Sequence, residues 1–390
     1  MNHRFECGRI RKLAREGKQT VRGLGGVVAV AFFAWSLSSE ALSQNTNLEP
    51  KLEWHDARAL GVEGKGWQDT RSFYDRLPAR AEKVVRAPVW NLSHDSAGLC
   101  LRFTTDAATI SARWTLRKEA LALAHMPASG VSGLDLYVKE KGKWHWLGGG
   151  RPDKSPTNEK VLVKGLKAET REFLLYLPLY NGVEELKIGV PEPARFEPAP
   201  GRPPGIKPIV FYGTSILQGG CASRPGMAYP SVLSRRLDLP HINLGFSGNA
   251  WSEPEVARLL AELDPSVYVI DPLPNMTEKA VAERLEPFVK ILRDAHPKTP
   301  IVFVENVPYP DGDLVELRRE HYSSSNARLH EIYQRLVKAG DRALFYVPAA
   351  KLIGTDGEGT VDGTHPTDLG FMRMADAIEP TLRRALSRNR

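Results

Sequence analysis

The sequence predicts two folded domains in series: a small antiparallel β-sandwich, then a larger α/β domain built on a parallel sheet. Three observations carry this. From about residue 48 to 191, short runs alternate apolar and polar residues between Gly and Pro turns, the pattern of half-buried antiparallel strands. Residues 191–208 then hold Pro191, Pro193, Pro198, Pro200, Pro203, Pro204 and Pro208, a density that sustains neither helix nor strand. Beyond them, apolar runs of strand length alternate with amphipathic stretches of helix length, as in a parallel sheet covered on both faces. The expected boundaries are 1–43 for a leader, 44–195 for the β-domain, 196–207 for a proline-rich linker and 208–390 for the α/β domain.

Each element has its own signal. Residues 108–116 alternate apolar and polar side chains and read as a strand; 133–138 and 143–147 flank Lys141-Gly142 and read as a hairpin. Further strands are expected at 171–177 and 185–190. In the α/β half, strands are expected at 208–212, 241–244, 266–270, 301–304 and 343–347. Helices are expected at 229–237, 253–263, 277–295 and 324–340, and a last helix at about 369–387. No internal repeat is apparent.

The chain has 390 residues, 42% of them hydrophobic, and a formal net charge of +7. That charge is uneven. Residues 1–43 hold seven basic and three acidic side chains, so more than half of the excess lies there. No basic stripe with interleaved aromatics remains, which argues against nucleic-acid binding. In the leader a basic stretch precedes the apolar run 24–37, and Ala41-Leu42-Ser43 supplies small residues before a cleavage point. The run is shorter than the ~20 residues a spanning helix needs. A cleaved export signal is therefore expected, with no membrane anchor on the mature chain and a periplasmic or extracellular location. Cys7 leaves with the leader. Cys100 and Cys221 are too few for a disulfide framework or a structural zinc site and read as two buried thiols.

The chemistry concentrates in four short segments, each at the end of an expected strand or near the end of the chain. The first is Gly213-Thr214-Ser215-Ile216-Leu217, after the apolar run 209–212. The second is Asn243-Leu244-Gly245-Phe246-Ser247-Gly248-Asn249, the third Asp271-Pro272-Leu273-Pro274-Asn275, and the fourth Asp362-Gly363-Thr364-His365. Ligands of open α/β sheets bind beyond the carboxyl ends of the strands, where such segments converge. Ser215, His365 and Asp362 supply a nucleophile, a base and the base's orienter. Each also has an ordinary reading: Ser215 as a helix cap, Gly248 as a turn glycine, Asn275 as the cap of the helix near 277, Asp362 as a turn residue. Cys221 is a rival nucleophile with no local base. No metal-ligand spacing, phosphate-binding glycine loop or dinucleotide fingerprint is present, so neither a metal nor a cofactor is expected.

These segments resemble the SGNH hydrolase superfamily, the GDSL esterases, over about 206–390. The resemblance implies a flavodoxin-like three-layer α/β/α catalytic domain. It assigns Ser215, His365 and Asp362 to a triad and the Ser215 and Gly248 N–H groups with the Asn275 amide to an oxyanion hole. Thr214 and Ile216 replace the Asp and Leu of Gly-Asp-Ser-Leu. Gly133-Leu134-Asp135-Leu136-Tyr137 is similar to the Gly-x-Asp-Leu-Tyr segment of a β-domain that precedes some bacterial members. The implied activity is hydrolysis of a small acyl ester, O-acetyl above all, on a small molecule or a polysaccharide. Arg224 is a candidate substrate contact. Two alternatives stand beside it: a catalytically silent carbohydrate-binding protein using the Trp-rich β-domain, or a thioesterase or lysophospholipase with the same triad. The oligomeric state is left open.

Overall fold

The structure is a computed structural model that describes residues 51–388. The leader expected at 1–43 lies outside the described residues. Among those described, no helix is long and apolar enough to cross a membrane.

The N-terminal half is two antiparallel sheets face to face. One has the strand order Leu52–Asp56, Val183–Pro191, Thr109–Leu116, Thr157–Lys164. The other runs Phe196–Pro198, Cys100–Thr105, Arg171–Tyr176, Leu134–Glu140, Lys143–Gly150, with the short Val62–Glu63 also on Cys100–Thr105. Inward residues of both sheets, among them Phe103, Ile110, Trp114, Leu136, Phe173 and Ile188, make one core, as strand alternation requires. The hairpin forms where expected. Lys141 and Gly142 both take positive φ, 49° and 76°, which matches the turn to the twist of its strands.

The Pro-rich stretch is pinned at both ends of its path. Phe196–Pro198 pairs with Cys100–Thr105, and Arg202 forks onto Glu63 while donating to the Asp238 carbonyl at 2.8 Å.

The C-terminal half has five parallel strands in the order His241–Gly245, Ile209–Gly213, Val267–Asp271, Ile301–Val304, Leu344–Val347. This is the flavodoxin-like order 2-1-3-4-5. Successive residues of each strand go to opposite faces. Val210 and Tyr212 meet helices Pro254–Leu260, Glu278–Ala295 and Glu316–Lys338, whereas Ile209 and Phe211 meet Tyr229–Leu237 and Asp368–Ser387. Burial on both faces is why these strands read as unbroken apolar runs. Helix Glu316–Lys338 starts about two turns earlier than expected. Its first turns, Glu316 to Glu320, are largely charged and not buried, so no apolar stripe announces them.

The strand order matters for function. It reverses at Ile209–Gly213, and the loops after that strand and after its neighbour Val267–Asp271 leave the sheet side by side at their carboxyl ends, the place where open α/β sheets bind ligands.

Candidate active site

Ser215 is the first residue of the short helix Ser215–Gln218, directly after the central strand. Thr214 caps that helix: its hydroxyl accepts from the Ile216 N–H at 3.3 Å. Thr and Asp both cap in this way, a contact that contributes roughly 1 kcal/mol. The replacement of the motif's Asp by Thr therefore keeps the local geometry. It also leaves Ser215 free of the capping role that the sequence allowed it.

His365 Nε2 lies 2.9 Å from Ser215 Oγ, and His365 Nδ1 lies 2.7 Å from Asp362 Oδ2. The other carboxylate oxygen of Asp362 accepts from the N–H groups of Thr364 (3.0 Å) and His365 (2.8 Å). One side chain thus folds the loop and orients the ring. Burial alone would raise the Asp362 pKa; the hydrogen bonds from the His365 backbone and ring outweigh it and hold the carboxyl below its usual value. Arg318 fastens the same loop from outside, donating to the Gly363 carbonyl and the Thr364 hydroxyl.

Three strand-end loops are tied together by hydrogen bonds. The Ser247 N–H donates to Gln218 Oε1 at 3.1 Å, joining the second loop to the Ser215–Gln218 helix. The Ala250 N–H donates to Asn275 Oδ1 at 3.3 Å, joining the second loop to the third. Because a backbone N–H needs an oxygen opposite it, this contact leaves the Asn275 amide N–H₂ as the free end. Asn275 does not cap the following helix; Thr277 does. Gly248 adopts φ 69°, a left-handed conformation that glycine takes without strain. Among the described residues the N–H groups of Ser215 and Gly248 have no hydrogen-bond partner. The structure thus brings Ser215, His365 and Asp362 into direct contact and ties the loops of Gly248 and Asn275 to the Ser215 helix.

Arg224 has other partners than a substrate. Its guanidinium binds Asp135 at 2.8 Å and the Tyr137 hydroxyl. Asp135 also accepts from the Gly226 N–H and Trp146 Nε1, both at 2.8 Å. The Asp and Tyr of the β-domain motif thus clamp the loop that follows the Ser215–Gln218 helix. Of the tryptophans proposed as sugar platforms, Trp67, Trp90 and Trp114 are buried, and only Trp146 is widely exposed. Cys100 and Cys221 are free and buried. Burial, with the Asp362 charge nearby, pushes the Cys221 thiol up to about 12, so it is a poor nucleophile.

Sequence reasoning missed the polar core between the two halves. Arg76 is fully buried and donates to the carbonyls of Asp95, Asn243, Gly245 and Leu92. Burial lowers its pKa to about 10, which leaves it charged at neutral pH. Gln218 donates to Asp95 (3.2 Å) and to the Leu179 carbonyl (3.0 Å). No spacing announces these contacts, because none is local, and those from Arg76 to Asn243 and Gly245 and from Gln218 to Asp95 join segments more than a hundred residues apart. A cavity of about 570 Å³ lies at the opposite ends of the strands, beside Lys207, Ser266 and Lys298; the Ser–His–Asp contacts mark the site, not cavity size.

The GDSL-like lipase/acylhydrolase family profile matches residues 206–383, and a profile for the N-terminus of SGNH-hydrolase-type esterases, named for Gly-x-Asp-Leu-Tyr, matches 52–196. The crystal structure of a GDSL-like lipase from Bacteroides ovatus is 38% identical, with a TM-score of 0.82 over 86% of this chain and 98% of its own. The chain therefore belongs to the SGNH, or GDSL-like, acylhydrolase family: it is an ester hydrolase with a Gly-x-Asp-Leu-Tyr-type β-domain. Two more distant structures share the fold. One is a salicylyl-acyltransferase from a tetracycline biosynthetic pathway (20% identity, TM-score 0.67, 85% of this chain and 97% of that one). The other is a family two carbohydrate esterase from Cellvibrio japonicus (13%, 0.56, 87% and 99%). No curated protein matches the chain.

Proposed function

We propose that the protein is an exported serine esterase that removes small acyl groups, O-acetyl above all, from carbohydrate. The observation that carries the mechanism is the unbroken line of contacts from Ser215 Oγ through His365 to Asp362, at 2.9 and 2.7 Å. Ser215 Oγ attacks the ester carbonyl while His365 takes its proton. The same proton then goes to the departing alcohol, and a water activated by His365 releases the acid. Asp362 holds the ring and stabilises its cationic form. The free N–H groups of Ser215 and Gly248 and the Asn275 amide receive the oxyanion.

Two observations support a bulky alcohol half. The His365 and Asp362 side chains keep 21% and 37% of their surface exposed, so the triad opens to solvent. Carbohydrate esterases also stand among the proteins of similar fold. Export rests on the leader at 1–43; mass spectrometry of secreted protein should find a mature chain that begins near residue 44.

Purified Ser215→Ala should hydrolyse p-nitrophenyl acetate about 10⁴-fold or more slowly than the parent while staying folded. A parent-like rate would overturn the mechanism. Acetate release from a panel of acetylated polysaccharides tests the substrate. An acyl-length series separates this reading from a thioesterase or lysophospholipase, either of which would prefer long chains.

A further inference from the structure

We propose that zinc binds at the rim of this site and switches the enzyme off. His125, Cys221, Asp362 and His365 each offer one donor atom, and these four atoms lie within 4.8 Å of one another. They come from three separate segments. His125 belongs to the β-domain, just before the helical turn Ala128–Val131; Cys221 follows the nucleophile helix; Asp362 and His365 share the last catalytic loop.

One sulfur, two imidazoles and one carboxylate form a zinc donor set. Zinc holds such atoms tetrahedrally at about 2.0–2.3 Å, which sets them about 3.3–3.8 Å apart. Small side-chain rotations carry the observed spacing to that geometry. Hard cations want six or more oxygen ligands and gain little from a thiol and two rings.

Two of the donors are uncommitted. His125 is exposed and has no hydrogen-bond partner among the described residues; its ring faces His365, with centroids 5.4 Å apart. Cys221 is free, buried, and likewise without a hydrogen bond. The other two donors are the base and its orienter.

Binding exchanges the Cys221 thiol proton, released to solvent, for a metal–sulfur bond. It also takes a ring nitrogen of His365. Both ring nitrogens serve the Ser215–His365–Asp362 line, so coordination through either breaks proton transfer. No oxidant or reductant enters, and removal of zinc restores the site. The inhibitory half of this proposal rests on the triad reading above; the binding half does not.

The test uses the whole protein, stripped of metal by chelation and desalting. Zinc should suppress p-nitrophenyl acetate hydrolysis by about tenfold or more, reversibly with chelator, while magnesium does nothing. Cys221→Ser and His125→Gln should keep zinc-free activity within about twofold and raise the half-inhibitory zinc concentration by about tenfold or more. A readout independent of turnover is cobalt(II) titration of Ser215→Ala. A near-ultraviolet thiolate-to-cobalt band should appear there and be absent once Cys221→Ser is added. The proposal falls if both single variants are inhibited like the parent and no cobalt band forms. If the parent shows no ester turnover but the band appears, the metal site stands and the esterase reading fails.

Discussion

The Tyr180 hydroxyl, carried by the β-domain, donates to the main-chain carbonyl of Ser215 at 3.2 Å. That carbonyl also accepts from the N–H groups of Gly219 (3.0 Å) and Gly220 (2.7 Å). Ser215 is thus steadied from the other half of the molecule, and the β-domain is part of the framework of the candidate site rather than an appendage.

Removing only that hydroxyl tests the relationship. Tyr180→Phe should lower kcat several-fold with KM nearly unchanged, and lower stability by about 0.5–1.5 kcal/mol, the worth of one hydrogen bond. Steady-state kinetics beside denaturant unfolding would show it. An unchanged kcat would mean that the contact supports the fold alone.

Asn275→Ala removes a proposed oxyanion donor. The expected loss is about 10²–10³ in kcat, with little change in KM, because the donor acts on charge that develops in the transition state. A loss confined to KM would place Asn275 in ground-state binding instead.

Arg224→Ala should act on stability first. It leaves the Asp135 carboxylate, whose side chain is 1% exposed, without its cation, and breaking such a buried pair costs about 3–5 kcal/mol. Unfolding midpoints should fall sharply while KM for small esters holds. The opposite pattern, a raised KM at parent stability, would restore Arg224 as a substrate contact.

Asp271 gives a pH prediction with a definite sign. Burial raises its pKa from 3.8 to about 8, partly countered by the hydrogen bond from Tyr229 at 2.9 Å. The folded state therefore keeps a proton that the unfolded chain loses, and stability should decline as pH rises from about 4 to about 8. Asp271→Asn cannot ionise and should show a flatter profile over that window. Thermal unfolding across pH would reveal parallel profiles if Asp271 were already ionised in the fold.

Much of this molecule was legible in its sequence. The parallel strands are buried on both faces, so the runs 209–212 and 301–304 could not be mistaken for alternating surface strands. Lys141-Gly142 announced its hairpin through turn chemistry. The sequence signal for helix Glu316–Lys338 begins late because its first turns are exposed and charged, and exposed turns carry no periodic signal. The sequence leaves Arg224 open to a substrate role because nothing local shows that Asp135, 89 residues earlier, holds its guanidinium.

The two-domain class and the strand-end segments follow from local pattern, that is periodicity, turn residues and short motif spacing, and the resemblance to the SGNH hydrolases singles out Ser215, Gly248, Asn275, Asp362 and His365 within those segments. Only the tertiary structure decided which partners they meet. Ser215 and His365 stand 150 residues apart in the chain and 2.9 Å apart in space. Tyr180, Arg76 and His125 approach the site only because the β-domain packs against the α/β domain. Contacts of that kind are set by the packing of whole sheets and helices, and no local spacing in the chain encodes them.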